Sequence, residues 1–186
     1  MLSVKTGKMK NEYMPDYVVF DLETTGISNK YDSIIEISAV KVRNGKIVDE
    51  YSKLVNPGRH IPERASFVNH IYDDMVYDKP AIDKVLPEFI DFIGDDLLVG
   101  HNIHSFDMKF IYRDCRMVFC QIPDNDYADS LYLARKCFPE LNHHRLSDLA
   151  DCLHLSTENA HRALYDCRMN QAVFEEIGRR LSALTK

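Results

Sequence analysis

Residues 17–55 read YVVFDLETTGISNKYDSIIEISAVKVRNGKIVDEYSKLV, and this stretch decides the fold. Tyr17 to Leu22 is a short run of apolar and aromatic residues, and Ser33 to Arg43 is a second run carrying Ile34, Ile35, Ile37, Val40 and Val42. Branched and aromatic side chains suit a half-buried pleated surface, so both runs read as strands. Asn44-Gly45 follows at once. That dipeptide accepts the two positive φ angles of a tight hairpin turn and predicts a third strand over Lys46 to Val55. Strands joined by such short connections pair antiparallel.

Outward from this meander the pattern changes. Ile82, Val85, Leu86, Phe89, Ile90 and Ile93 recur at helical spacing between Pro80 and Gly94. Pro87 lies inside that run and predicts a kink or a split. Leu97-Leu98-Val99 reads as a short buried strand, and Phe106, Phe110, Ile111, Met117 and Val118 mark the next helix. A weak strand near Tyr127-Ala128 and short helices around Ser130 to Cys137 and Leu146 to Leu153 follow. The last helix, about Arg162 to Leu184, repeats Leu164, Cys167, Phe174, Ile177, Leu181 and Leu184. A meander leading into strand–helix–strand units implies an α/β fold, a mixed sheet flanked by helices. Residues 1–14 are polar and aperiodic and read as a loose tail, leaving 15–186 as a single domain.

The chain has 186 residues, 45% of them hydrophobic, which suits one domain with a substantial core. A net charge of −6 argues against a protein that coats nucleic acid through a broad basic surface, though not against one that grips a chain end. Five scattered cysteines without a CxxC pair suggest neither a disulfide framework nor a zinc ribbon. No stretch approaches the ~18 consecutive apolar residues of a membrane span, and the N-terminal segment has lysines but no apolar core. The expected location is the cytoplasm, with no membrane partner.

Asp21 and Glu23 close the first strand where core residues belong. Residues i and i+2 of a strand share a face with Cα atoms roughly 6.6 Å apart, so both carboxylates converge on one spot. Such a pair is tolerable only if one acid stays protonated or a cation compensates, and hard divalent ions take oxygen ligands. Asp107 follows the buried strand ending in Val99-Gly100-His101, and Asp166 lies in the opening turns of the last helix. Ligands in open α/β sheets gather outside the carboxyl ends of strands, where the Asp21 strand and the Val99 strand both finish. His161, about 140° from Asp166 around an ideal helix, belongs on the approach to that helix and is a candidate general base. Each residue alone has an ordinary explanation. Asp21 fits a strand edge, while Asp107 and Asp166 fit helix N-termini stabilised by the macrodipole.

Together they form a pattern. FDLETTG (Phe20 to Gly26), HNIHSFD (His101 to Asp107) and HRALYDC (His161 to Cys167) resemble the three motifs of the DEDD superfamily of 3′-to-5′ exonucleases. The resemblance covers about Asp16 to Ile177 and is nearest to the proofreading-subunit branch, which includes the polymerase III epsilon subunit and RNase T. It implies an RNase H-like fold, a mixed five-stranded sheet with its second strand antiparallel. It also implies Asp21, Glu23, Asp107 and Asp166 as the metal-binding acids and His161 as the base, and the chemistry of phosphodiester hydrolysis calls for two Mg²⁺ or Mn²⁺ ions at those acids. The sister branch places a tyrosine four residues before the last aspartate; position 162 is Arg, so the chain resembles the histidine type.

The resemblance further implies that Thr25 and Gly26 meet the terminal nucleotide through their backbone, and that Asn102 and Phe106 contact the substrate. Phe106 at helical spacing equally suits the core. Residues 69–76, NHIYDDMV, resemble a family element often reading His-Gly-Ile-Thr. His143-His144 beside Arg145 read as a solvated loop or as contacts to a phosphate backbone, and Asp129 reads as a helix N-cap. The implied activity is hydrolysis of single-stranded DNA 3′ ends to nucleoside monophosphates. An RNase T-like or oligoribonuclease-like enzyme acting on RNA, and an inactive module that holds a nucleic-acid end, are the alternatives. A DNA polymerase is an implied partner, and a homodimer is an implied assembly.

Overall fold

β2 (Tyr17–Thr24), β3 (Ile34–Arg43) and β4 (Lys46–Leu54) form the expected antiparallel meander. The turn between β3 and β4 has Asn44 at φ 50° and Gly45 at φ 72°, the two left-handed residues a tight hairpin demands. The computed structural model describes residues 6–156 and 162–184. Beyond the meander, β5 (Leu98–Gly100) and β6 (Tyr127–Asp129) lie parallel to one another, and β5 lies parallel to β2. With β1 (Met9–Lys10) the sheet order is β1-β6-β5-β2-β3-β4, and only β3 runs against the rest.

Among the described residues the sheet has six strands, one more than expected. The sixth is β1 (Met9–Lys10), from the segment read as a loose tail. Met9 and Lys10 pair with Tyr127 and Ala128, and Lys10 Nζ reaches Asp126 at 2.9 Å. Tyr13 then packs on Tyr17 and Phe174. The expectation of a loose tail is therefore corrected for these residues, because backbone pairing with a distant strand holds them.

Two apolar layers cover the sheet. Val18, Phe20 and Leu22 of β2 face α3 (Ile82–Ile93) and α4 (Asp107–Phe119), whose Leu86, Phe89, Phe110 and Ile111 complete a buried cluster. Tyr17 and Val19 face the opposite way, into a cluster with Leu133 of α5 (Ser130–Cys137), Leu149 of α6 (Leu146–Cys152) and Phe174 of α7 (Ala163–Leu184). The period of two along β2 thus sends Asp21 and Glu23 to the α7 face. α3 runs unbroken through Pro87, so the expected split is absent. Two short helices not anticipated, α1 (Glu63–Asn69) and α2 (Asp73–Val76), fold over Ile35 near the start of β3.

The meander lies on one side of β2, while β5 and β6 lie on the other. Chain connectivity therefore reverses between the neighbouring parallel strands β2 and β5, and a crevice opens outside their carboxyl ends. Asp21 and Glu23 end β2 at this crevice, and the loop leading to Asp107 leaves β5 there.

Candidate active site

Three segments bring acids to the crevice. Asp21 and Glu23 come from β2, which bulges after Glu23: Glu23 pairs with Glu36, whereas Thr24 pairs with Ile34. The extra residue on β3 bends the ladder where the acids must converge. Asp166 arrives from the first turn of α7, packed across β2 and β3. One carboxylate oxygen each from Asp21, Glu23 and Asp166 lie within 4.8 Å of one another. Asp107 opens α4, is 2% exposed, and has a buried Oδ1 with no hydrogen-bond partner among the described residues.

The crowding shows in the proton affinities. Burial, and then the charges of Asp107, Glu23 and Asp166, hold the Asp21 carboxyl well above the ordinary carboxylate range. Glu23 is pushed up to about 9, first by burial and then by Asp166, Glu36 and Asp107, with Arg162 opposing. Burial raises Asp107 to about 7 against the pull of backbone N–H groups, including that of Leu22. Without a cation the cluster would hold protons at neutral pH. The buried unpartnered oxygen of Asp107 and three convergent carboxylates are the donor set a hard divalent cation requires, so the residues fit such an ion.

The surrounding residues are held by specific contacts. The Thr25 side chain is fully buried, with its Oγ1 donating to Asp32 at 3.3 Å and accepting the Ser33 N–H at 3.0 Å. That hydroxyl fixes the loop after β2. A Cβ on Gly26 would meet the Asp32 carboxylate at 2.6–2.7 Å, so the close approach that demands glycine here is to Asp32. Asn69 donates to the Thr24 carbonyl at 3.4 Å and accepts the Ile71 N–H at 3.1 Å, which docks residues 69–71 against the end of β2. Asn102 is exposed, with φ 66°. Phe106 is half-buried and tilts against Phe110 with ring centroids 5.1 Å apart. His161 lies outside the described residues.

Three residues carry more than the sequence reading assigned them. Asp129 caps α5, accepting from Leu131 and Tyr132, and also accepts the N–H groups of Asn102 at 3.1 Å and His104 at 3.3 Å. It therefore shapes the loop that delivers Asp107. Glu36 is 2% exposed and binds Arg162 beside the acids. The signal for Glu36 was an acid inside the apolar run IIEISAV, the same anomaly that exposes Asp21 and Glu23.

The sequence profile of the exonuclease family named for RNase T matches residues 18–174. The chain belongs to that exonuclease family. Among its relatives, the PolC-type DNA polymerase III of Staphylococcus saprophyticus is 41% identical over 168 residues, covering 90% of this chain and 12% of the polymerase. That of Oceanobacillus iheyensis is 39% identical over 172 residues, covering 92% of this chain and again 12% of the relative. The chain thus spans about an eighth of the length of these relatives. A structure of exonuclease X in complex with 5′ overhanging duplex DNA superposes with a TM-score of 0.70 at 32% identity, covering 88% of this chain and 91% of that one. Exonuclease I shares the fold, with a TM-score of 0.83 at 18% identity over 92% of this chain and 42% of its own. The RNase H-like α/β expectation and the exonuclease family assignment are both upheld. No helix among the described residues is long and apolar enough to cross a membrane.

Proposed function

We propose that this chain is a metal-dependent exonuclease that removes nucleotides one at a time from the 3′ end of single-stranded DNA. The observation that carries this reading is the convergence of Asp21, Glu23 and Asp166 within 4.8 Å beside the unpartnered carboxylate oxygen of Asp107. Four acids this close are a liability to folding and a natural seat for two Mg²⁺ or Mn²⁺ ions. When bound, such ions supply charge compensation at the attacked phosphorus and at the departing oxygen.

The chain's own residues do the rest. Asp21, Glu23, Asp107 and Asp166 would hold the ions at the end of β2, where the scissile phosphate is to be placed. His161, whose imidazole can take up a proton near neutral pH as a residue type, accepts the proton of the attacking water. Water oxygen bonds to phosphorus, and the P–O3′ bond breaks. The 3′ oxygen takes up a proton and leaves as the new strand end, and a nucleoside 5′-monophosphate is released. The backbone at Thr25 and Gly26, with Asn102 and Phe106, borders the terminal nucleotide. DNA is favoured over RNA by the 32% identity to exonuclease X, whose structure holds DNA, and by the polymerase relatives. Those relatives also support proofreading beside a DNA polymerase.

The test is a 5′-labelled oligonucleotide incubated with Mg²⁺ or Mn²⁺, with and without chelator, as DNA, as matched RNA and with a blocked 3′ end. The expected result is a ladder shortening from the 3′ end of DNA, abolished by chelator and by the block. Intact DNA under all conditions would overturn the reading, and faster digestion of RNA would reassign the substrate.

A further inference from the structure

The loop between β2 and β3 contains one helical turn, in which the N–H groups of Tyr31 and Asp32 both donate to the Ser28 carbonyl, at 3.1 and 2.8 Å. Carbonyls at the end of such a turn have no partner within it and need donors from elsewhere. Two arginines supply them. Arg113 Nη1 donates to the carbonyls of Asn29 and Asp32, both at 2.6 Å, and Arg59 Nη1 donates to that of Tyr31. Behind the loop lies a cavity of about 500 Å³, bounded by the chain just after β4 and by Arg113, Asp114 and Met117 of α4. Hydrogen bonds rather than close packing therefore hold the loop on that side.

The rest of the Arg113 guanidinium is committed as well. Its Nε and Nη2 donate to the two oxygens of Asp114 at 2.7 and 2.9 Å, and Asp114 is 2% exposed. With the two carbonyls, that engages all but one of the N–H donors a guanidinium carries. The planar group also lies 5.1 Å from the centre of the Phe110 ring, and Phe110 packs against Phe106. On the loop side, Asp32 accepts the Thr25 hydroxyl and the Ser28 N–H and abuts Gly26. Arg113 thus reaches both flanks of the pocket proposed for the terminal nucleotide: Thr25 and Gly26 through Asp32, and Phe106 through Phe110. It does so from the helix that opens with Asp107.

We propose that Arg113 is a positioning residue for the terminal-nucleotide pocket: it fixes the Thr25–Gly26 backbone relative to the start of α4, and so sets how firmly the last nucleotide of the strand is held. This inference rests on the nuclease reading for the occupant of the pocket. Arg113 acts through Asp32 and Phe110, not by touching the substrate. A guanidinium suits the task because its rigid planar fork presents donors in two directions at once, to a carboxylate on one side and to carbonyls on the other, whereas an ammonium is a point charge on a flexible stem. Buried Asp114 keeps the fork oriented.

The test compares Arg113→Lys with the parent. Lysine keeps a positive charge beside buried Asp114, which protects the fold, and gives up the fork. Arg113→Gln/Asp114→Asn, which leaves no charge at the pair, is the second variant. KM for a DNA strand and Ki for thymidine 5′-monophosphate, a probe too small to reach beyond the pocket and the acids, are each expected to rise about tenfold in both variants, the scale of one or two lost hydrogen bonds. The change in kcat is expected to be smaller, and the melting shift on adding Mn²⁺ is expected to stay parental. Amide hydrogen exchange, read on peptides covering residues 25–33, is expected to quicken in both variants. Parental KM and Ki would overturn the proposal, as would loss of the Mn²⁺ shift in the same variants, which would mark a general disturbance of the site. A parent that neither cuts the strand nor binds the mononucleotide would sink the nuclease reading and the pocket with it, whereas parental exchange at 25–33 in both variants would sink the assignment of Arg113 alone.

Discussion

Glu36 and Arg162, separated by 126 residues, join β3 to the start of α7: Arg162 Nη2 donates to Glu36 Oε1 at 3.1 Å and Nε to Oε2 at 3.4 Å. The same Oε2 accepts the N–H of Ala163 at 3.4 Å, so one buried carboxylate caps the first turn of the helix that carries Asp166. Glu36 also stands directly opposite Glu23 in the β2–β3 ladder. Arg162 is the cation that moderates the acid cluster from within the protein, lowering the proton affinity of Glu23 that its neighbours raise.

Glu36→Gln keeps the shape and removes the charge. Loss of a hydrogen bond to a charged group costs about 1.5–3 kcal/mol, and the lower end applies because the Arg162 side chain is 44% exposed. Thermal melting should fall by a few degrees. Turnover should fall about tenfold as the start of α7 loosens, with a smaller change in KM. Differential scanning calorimetry and steady-state kinetics check both, and wild-type turnover would show that the pair serves stability alone.

Proton affinities in the cluster set an unusual pH dependence for the metal-free protein. Glu23 at about 9 and Asp107 at about 7 bind protons more tightly folded than unfolded. Stability linked to these groups is fully present below about pH 4, the unfolded carboxylate range, and is lost as pH rises through 7 to 9. In EDTA, melting temperature should therefore fall between pH 6 and pH 9, and Mn²⁺ should recover the loss most strongly at the alkaline end. Melting curves across that range, with and without Mn²⁺, provide the check; a metal-free protein that gains stability toward pH 9 would contradict it.

Asp21→Asn should separate folding from activity. It removes one of several mutually repelling charges, so the metal-free variant at pH 8 should melt higher than the parent, by about 2–4 °C for each kcal/mol relieved. Hydrolysis of a DNA strand should fall by at least about a thousandfold, the scale expected when charge compensation at the reacting centre is removed. A variant that melts lower and retains activity would place Asp21 outside the site.

His161→Ala should lower turnover by about 10²–10⁴, the range for loss of a general base, while the melting shift on adding Mn²⁺ stays at its parental size. Unchanged turnover would remove His161 from the mechanism.

What the sequence made legible was local. Asn44-Gly45, the β-branched run over 34–42 and the helical spacing of Ile82 to Ile93 each state their structure within a few residues, and Asp21 and Glu23 announce themselves by sitting where apolar residues belong, whereas Asp107 and Asp166 stand out only through the motifs around them. What it hid depends on distant partners. β1 is two residues long and exists only because Met9 and Lys10 meet Tyr127 and Ala128. α1 follows Pro62, leaves Phe67 and Val68 exposed and buries only Ala65, Ser66 and Asn69, so it has no apolar stripe to read. The pairing of Glu36 with Arg162, and the second duty of Asp129 at the Asp107 loop, are long-range contacts with no signature in spacing.

The central claim is that four carboxylates from three separated parts of the chain share divalent ions. Anomalous scattering from a crystal soaked in Mn²⁺ tests it most directly. The account predicts two peaks about 4 Å apart among Asp21, Glu23, Asp107 and Asp166. Ordered, undisplaced carboxylates with no manganese peak between them would contradict it.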